Sequence, residues 1–305
     1  MIDHVAGKGK IVVGLGELLW DLLPAGKQLG GAPANFAYIT SLLGGQGIPL
    51  SRVGKDDLGE EALRQLKHLG LPTGFVQIDS LHATGTAEVE LNHGQARFEI
   101  SKQAAWDFLE WTPEWERLAG QADAVCFGSL AQRSPQSRET TRNFLRASSP
   151  AAVHIFDVNL RGDFYSPELL SESMSLADIV KLNDEELPKM MELGGLVHSD
   201  EKSSAEQLLK LYDLQLVCVT RGCRGSLLIS KSGFNEHPGF RVKVVDTIGA
   251  GDAFTAGLAH EYLHGASLDG MNEVANLVGA WVASQAGATP TPKEGALEHS
   301  LAEIS

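Results

Sequence analysis

Short apolar runs alternate with helical stretches along the chain, and this alternation limits the possible folds more than any other feature. Five apolar runs are predicted to be buried strands, at residues 11–15, 124–127, 154–158, 179–182 and 216–220. Helices are predicted between them, at residues 33–43, 59–69, 137–146 and 205–211. Strands that alternate with helices are typical of a parallel sheet covered by helices on both faces. The sequence therefore predicts an α/β fold.

One region departs from this alternation. Residues 86–91 and 96–101 alternate apolar with polar side chains, and Asn92-His93-Gly94-Gln95 stands between them. A short turn with glycine between two alternating runs is typical of a β-hairpin. We expect the hairpin to project from the main sheet as a small flap. No repeat or linker divides the sequence, which favours one domain with a lid.

The charge balance limits the partners. The chain has 25 basic and 39 acidic residues, a net charge of −14, which argues against nucleic acid or an anionic membrane as the main partner. A small anionic ligand stays possible, because backbone N–H groups can hold one whatever the net charge. No stretch approaches the roughly 20 apolar residues of a membrane span, and the first apolar run is too short for a signal peptide.

The number and spacing of the cysteines predict the redox state of the compartment. Cys126, Cys218 and Cys223 are scattered, and the first two lie in apolar runs. We expect buried thiols in a reducing cytoplasm, not a disulfide framework.

The heptapeptide DTIGAGD, residues 246–252, carries the strongest chemical signal. A helical pattern follows it, and glycines allow backbone N–H groups to turn toward one point. Such donors at a helix N-terminus favour an anion. Asp252 would then stand beside an anion hole, where a carboxylate makes sense as a base. The alternative is an ordinary loop in which Asp252 caps the helix.

Three further clusters fall at predicted strand ends or helix starts. GGAPANFAYITSLLGG places two glycines and Asn35 at the head of a helix, although close helix packing explains them equally. KLNDEEL places Asn183 and Glu186 three residues apart, which suits a hydrated magnesium ion and phosphate oxygens; the alternative is a capping Asn with a solvated Glu. VTRGCRGSLL follows a strand and contributes Thr220, Gly222 and Gly225. Ligands of α/β sheets bind at this carboxyl edge.

Two nucleotide motifs are excluded. In IVVGLGELL, Leu19 stands where the third glycine of a dinucleotide-binding turn belongs. No G-x-x-x-x-G-K-[ST] segment occurs either, so a nicotinamide oxidoreductase and a P-loop enzyme are both disfavoured.

These motifs resemble those of the ribokinase-like (PfkB) family of carbohydrate kinases. GGAPANFAYITSLLGG is similar to the N-terminal signature of the family and DTIGAGDAFTAGL to its C-terminal one. The resemblance runs from Ile11 to about Pro292. Within the family, GELLWDLLP, FGSLAQR, FDVNLR and KLNDEEL are most similar to bacterial fructokinases. The resemblance implies a three-layer α/β/α sandwich, residues 1–305 as one domain, and a small β-lid formed near residues 17–30 and 84–104.

The resemblance also implies roles for individual residues. Asp252 corresponds to the general base, and the anion hole for the transferred phosphoryl group corresponds to Gly249, Ala250 and Gly251. Substrate-binding positions correspond to Asp21, Gly31, Asn35, Arg161 and Asp252; of these, Asp21, Gly31 and Asn35 would bind sugar hydroxyls, and Arg161 would lie near the phosphates. Nucleotide-binding positions correspond to Asn183, Glu186, Thr220, Gly222, Gly225, Gly249, Gly251 and Asn276. Asn183 and Glu186 would hold Mg²⁺ through water, and a monovalent cation, K⁺, would be held by Asp246, Ile248, Ala283, Ala286 and Ala288.

The implied activity is transfer of the γ-phosphoryl group of ATP to a primary hydroxyl of a sugar, with fructose as the expected acceptor and fructose 6-phosphate as the product. Ribose, a nucleoside, aminoimidazole riboside and 2-keto-3-deoxygluconate stay open as acceptors. A non-catalytic sugar-binding regulator on the same fold also stays open. An exposed strand edge of the lid would allow a homodimer.

Overall fold

The computed structural model describes residues 9–23, 26–92, 95–293 and 297–304. Its strands are β1 (Ile11–Leu15), β2 (Leu19–Leu23), β3 (Gly26–Gly30), β4 (Gln46–Gly54), β5 (Val76–Asp79), β6 (Gly85–Asn92), β7 (Gln95–Ile100), β8 (Ala124–Gly128), β9 (Val153–Asp157), β10 (Ile179–Asn183), β11 (Leu216–Thr220), β12 (Ser226–Ser230) and β13 (Gly233–His237). Its α-helices are α1 (Ala32–Leu42), α2 (Asp57–His68), α3 (Pro113–Ala119), α4 (Pro135–Ala147), α5 (Pro167–Ser175), α6 (Glu186–Leu193), α7 (Glu201–Leu211), α8 (Ala250–Leu263), α9 (Leu268–Ala283) and α10 (Leu297–Leu301).

A large sheet forms the centre of the molecule. Its strand order is β13-β12-β11-β10-β9-β8-β1-β4-β5. Neighbours from β11 to β5 pair in parallel, and only the β11–β12 and β12–β13 pairs of this sheet are antiparallel. All five predicted strands lie in it as β1, β8, β9, β10 and β11, with bounds within one residue of those predicted. The predicted mostly parallel α/β fold is confirmed.

Helices cover both faces of this sheet, which gives three layers. Adjacent strand residues point to opposite faces: Val12 belongs to one apolar cluster and Val13 to the other. One cluster packs against α1, α8 and α9, and the other packs against α3 to α7. Cys126 and Cys218 are buried in the first cluster as free thiols, as predicted, whereas Cys223 is exposed.

A second sheet of four strands, in the order β3-β2-β6-β7, stands beside the first. The predicted hairpin is confirmed as the antiparallel pair β6–β7, although its turn residues His93 and Gly94 lie outside the described residues. Strand β2 pairs in parallel with β6 and antiparallel with β3. A small apolar cluster joins this sheet to the main body through Leu19, Ile100, Trp106 and Leu130. None of the helices described is long and apolar enough to cross a membrane.

Candidate functional site

The carboxyl ends of the parallel strands bring the predicted site residues to one edge of the main sheet. β9, β10 and β11 end at Asp157, Asn183 and Thr220, and the chain leaves β1 toward Glu17. A cavity at this edge is lined by Glu17, Pro33, Ser129, Asp157, Asn159 and Asp252. Residues from widely separated parts of the sequence therefore share one cavity.

The first turn of α8 orients Asp252. Gly249 precedes the helix with φ +76°, and a Cβ atom there would lie 2.4 Å from the Ala288 side chain, so only glycine fits. Asp252 is the third residue of α8 and makes no capping bond, so the interpretation of Asp252 as a helix cap is wrong. Its Oδ2 accepts a hydrogen bond of 2.8 Å from Asn35 Nδ2, at the start of α1.

The electrostatic environment favours a basic carboxylate at Asp252. Burial raises its pKa above the usual value, and the neighbouring Asp157 raises it further. The Asn35 hydrogen bond, Lys181 and Arg161 act in the opposite direction without cancelling the shift. A raised pKa makes the carboxylate a better proton acceptor than an exposed aspartate.

The same helix turn presents donors for an anion. The backbone N–H groups of Gly251 and Asp252 donate to no acceptor in the described part of the chain. Lys181 Nζ lies next to them, 3.2 Å from the position of a Cβ atom on Gly251. Two unpaired N–H groups at a helix N-terminus with an ammonium group alongside are suited to hold an anion.

A buried ion pair supports this turn. Lys181 Nζ lies 3.1 Å from both carboxylate oxygens of Asp157, and the two residues are only 8% and 4% exposed. The Thr255 hydroxyl lies 2.9 Å from Asp157 Oδ2 and 2.9 Å from the Gly251 carbonyl oxygen. Burial lowers the pKa of Lys181, but Asp157, Glu186 and Asp252 outweigh it, so the pKa is raised and the ammonium form persists. The pair fixes α8 to β9 and β10.

Asn183 and Glu186 interlock through their backbones. Asn183 Oδ1 accepts from the Glu186 amide at 2.8 Å, and Glu186 Oε2 accepts from the Asn183 amide at 2.9 Å. Glu186 Oε1 accepts from the Leu160 amide at 2.8 Å. The capping role of Asn183 is therefore present, but Glu186 is 8% exposed and not solvated. The carboxylate keeps part of its acceptor capacity, since a carboxylate offers about four acceptor positions.

No group of three or more His, Cys, Asp or Glu side chains among the described residues could hold a metal ion. Mg²⁺ commonly keeps several waters and binds through one or two carboxylates together with substrate phosphates. The carboxylate of Glu186 and the side-chain amide of Asn183 fit this manner of Mg²⁺ binding.

Four of the positions predicted to bind nucleotide cluster beyond β11, namely Thr220, Gly222, Gly225 and Asn276. A 3₁₀ turn, Gly222–Arg224, follows Thr220, and Gly225 leads into β12. Asn276 on α9 donates to Ser226 Oγ at 2.7 Å, which places it beside this turn. Asn276 is 7% exposed and also donates to the Asn272 carbonyl oxygen at 2.7 Å.

The positions predicted to bind the sugar substrate come from the small sheet and from loops. Asp21 lies on β2, where burial raises its pKa to about 6, Arg161 lowers it and Asp252 raises it. Gly31 precedes α1 with φ +114°, and a Cβ atom there would lie 2.4 Å from the Glu17 carbonyl oxygen. Arg161 is exposed in the loop after β9.

The segments expected to bind a monovalent cation lie side by side. Asp246 Oδ1 accepts from the Ile248 amide at 3.0 Å and Oδ2 from the Gly287 amide at 3.2 Å. The Ala283 carbonyl oxygen already accepts from the amides of Val245 and Asp246, at 2.9 Å and 3.3 Å. By contrast, the carbonyl oxygens of three residues accept no hydrogen bond within the described ranges, namely Ile248, Ala286 and Ala288. Free carbonyl oxygens beside a carboxylate fit a cation.

Sequence reasoning missed four polar residues of this site: Glu17, Asp157, Lys181 and Thr255. Each lies inside a quoted motif, and the signal was charge in an apolar context: Asp157 ends a buried strand and Lys181 lies in the middle of another. A charged side chain at such a position needs a partner. The sequence does not show which strand supplies the partner.

Comparisons with known proteins agree with this geometry. A family model described as pfkB family carbohydrate kinase matches residues 23–294. The fructokinase of Escherichia coli is 34% identical over 80% of this chain and 81% of its own length.

Two solved structures are similar over nearly the whole chain. An uncharacterized sugar kinase from Pyrococcus horikoshii, solved in complex with ATP, is 30% identical, covers 96% of this chain and 99% of its own, and has a TM-score of 0.79. Fructokinase from Vibrio cholerae O395, solved with fructose, ADP and calcium bound, is 25% identical, covers 98% and 99%, and has a TM-score of 0.81.

Proposed function

Because the chain belongs to the pfkB family of carbohydrate kinases, we propose that it is a fructokinase that transfers the γ-phosphoryl group of ATP to a primary hydroxyl group of D-fructose. The observation that carries the proposal is the placement of Asp252. Its carboxylate accepts from Asn35 across the cavity, and it adjoins the unpaired N–H groups at the start of α8. A base beside an anion site is what phosphoryl transfer to an alcohol requires.

In the proposed reaction, Asp252 accepts the proton of the sugar hydroxyl as its oxygen bonds to the γ-phosphorus. The bond from that phosphorus to the β,γ-bridging oxygen breaks, and ADP leaves with the electron pair. The N–H groups of Gly251 and Asp252 and the ammonium of Lys181 stabilise the charge on the phosphoryl oxygens. Asn35 fixes the carboxylate in line with the hydroxyl. Mg²⁺, when bound with the nucleotide near Glu186 and Asn183, neutralises charge on the phosphates.

The fructose assignment has narrower support than the kinase chemistry. The Escherichia coli relative is named a fructokinase, and the Vibrio cholerae structure holds fructose and ADP. The Pyrococcus horikoshii relative leaves the sugar open. The runner-up is the same transfer to ribose, a nucleoside, aminoimidazole riboside or 2-keto-3-deoxygluconate.

The acceptor is identified by kcat/KM for fructose, ribose, glucose, 2-keto-3-deoxygluconate and aminoimidazole riboside under one set of conditions. We expect fructose to exceed glucose by about 100-fold, because each buried polar group that a wrong sugar leaves unpaired costs about 1–3 kcal/mol. Another sugar in first place would reject the fructose assignment and keep the kinase. No phosphorylation of any acceptor would favour the sugar-binding regulator.

The proposed metal sites predict a specific phenotype for Glu186→Gln. The variant should need more Mg²⁺ for half-maximal activity and recover much of its turnover at saturating Mg²⁺, because glutamine lacks the charge that attracts the metal. Its single side-chain oxygen keeps one of the two hydrogen bonds that Glu186 accepts, from the backbone amides of Leu160 and Asn183. Glu192→Gln, an exposed residue of the same helix α6, is the control. An unchanged Mg²⁺ dependence would contradict the role of Glu186.

We extend the proposal to K⁺ between the Asp246 and Ala286–Ala288 segments, where it would fix the turn at Gly249. Activity should then rise when K⁺ replaces a bulky organic cation at equal ionic strength. A flat response would remove this cation and leave the kinase proposal unaffected.

A further inference from the structure

Glu17 is a buried carboxyl group that the proposed reaction does not use. It stands between β1 and β2, is 5% exposed, and lines the same cavity as Asp252 and Asn159. Carboxyl groups are rarely buried without a partner, so its position calls for an explanation beyond packing.

The protein fills only part of the hydrogen-bonding capacity of this carboxyl group. Glu17 Oε1 accepts from the Ala32 amide at 3.3 Å, in the turn that begins α1, and its own backbone amide also contacts the group. About four acceptor positions are available on a carboxylate, so capacity is left. Glu17 contributes no atom to the buried, unpartnered polar atoms of the described residues. Glu17 lines the cavity, so a ligand there could use the remaining capacity.

The charges around Glu17 come from several elements. Burial raises its pKa to about 7, Asp252 on α8 raises it as well, and Arg161 in the loop after β9 lowers it. Asp157 at the end of β9 and Cys126 on β8 also line the cavity, and burial keeps the Cys126 thiol protonated by raising its pKa.

Asp21 on β2 also interacts with Arg161, and burial raises its pKa to about 6. Glu17 changes its protonation state near neutral pH, and replacing Glu17 alone distinguishes its titration from that of Asp21.

We propose that Glu17 is a further acceptor-binding residue, whose protonated carboxyl group donates a hydrogen bond to an oxygen of the sugar in the cavity shared with Asp252. This inference rests on the proposed sugar kinase function. A sugar that fills the cavity displaces water, and loss of water disfavours the charged form of a buried carboxyl group. Asp252 must be ionised to act as the base, which further disfavours a second charge beside it.

The sign of the pH dependence follows from this protonation state. The sugar binds the acid form of Glu17, so affinity is full below pH 7 and is lost as Glu17 ionises above it. For wild-type protein, the KM for the best sugar in the acceptor panel should rise above pH 7, at a slope that approaches tenfold per pH unit. The KM for ATP should not follow this rise, because Glu17 lies between β1 and β2, and none of the predicted nucleotide-binding positions belongs to these strands or to the segment between them.

Glu17→Gln tests the role directly. Glutamine keeps an oxygen for the Ala32 amide and supplies a permanent N–H donor for the sugar. Its sugar KM should stay near the wild-type acid value from pH 6.5 to pH 8.5, whereas the sugar KM of Glu17→Ala should stay about tenfold above the wild-type acid value throughout this range. Glu116→Gln, on the exposed face of α3, should show the same pH dependence of the sugar KM as the wild-type protein. Thermal unfolding of each variant monitors the fold.

The outcomes separate this inference from the proposed function. A wild-type protein that phosphorylates no sugar rejects the function itself. An active wild-type protein whose rise in sugar KM persists in Glu17→Gln overturns the role of Glu17. A wild-type sugar KM that is flat or falls above pH 7 overturns it too, because the protonated form would then not be the binding form.

Discussion

Replacement of Asp252 by asparagine is expected to lower turnover by about 10²–10⁴-fold, the usual contribution of a positioned general base. Asparagine has nearly the same shape, and its side-chain oxygen can still accept the 2.8 Å hydrogen bond from Asn35. Binding of nucleotide and sugar should therefore persist, and the loss should lie in kcat. Single-turnover kinetics together with direct binding measurements distinguish a loss of chemical rate from a loss of binding.

The pH profile gives an independent readout of the same residue. Since burial and Asp157 raise the pKa of Asp252, wild-type kcat/KM should fall on the acid side at a pH above the usual aspartate range. The base must be ionised, so activity is present above its pKa and lost below it. Asp57→Asn, an exposed aspartate of α2, is the matched control. Near-normal turnover of Asp252→Asn would contradict the assignment of the base.

Much of this site was predictable because several of its residues lie at strand ends and helix starts, where short sequence patterns determine the local structure. Parallel strands end at one edge, so the sequence order of the apolar runs already places Asn183 and Thr220 together. The glycines of DTIGAGD predict a sharp turn into a helix, and the structure has it, with Gly249 left-handed and α8 beginning at Ala250. These features depend on residues that are neighbours in sequence.

Features that depend on long-range contact could not be predicted in the same way. The hydrogen bond from Asn35 to Asp252 spans 217 positions, and no local pattern indicates it. The pairing of Lys181 with Asp157 depends on the adjacency of β9 and β10. The alternative for KLNDEEL was partly correct, because Asn183 does cap a helix, but burial of Glu186 follows only from the position of α6 against the loop after β9.

The Lys181–Asp157 pair is expected to give the largest stability effect. Lys181→Met removes the ammonium group and leaves Asp157, only 4% exposed, with Thr255 as its remaining hydrogen-bond partner. Loss of one partner of a buried ion pair typically destabilises by about 3–5 kcal/mol. The free energy of unfolding, measured by urea denaturation at pH 7, should fall by that amount. A denaturation midpoint equal to that of wild type would contradict the proposed charge compensation.

A double variant separates the structural role of the pair from its catalytic role. In Lys181→Met/Asp157→Leu neither charge of the pair is left without the other, and apolar replacement of a whole buried pair is often neutral or stabilising. We expect most of the lost stability to return. Turnover should not return, because the ammonium group lies beside the Gly251 donors and would be absent from the proposed phosphoryl site. Recovery of both stability and turnover would show that Lys181 serves only to neutralise Asp157, and the proposed anion site would then consist of the helix N–H groups alone.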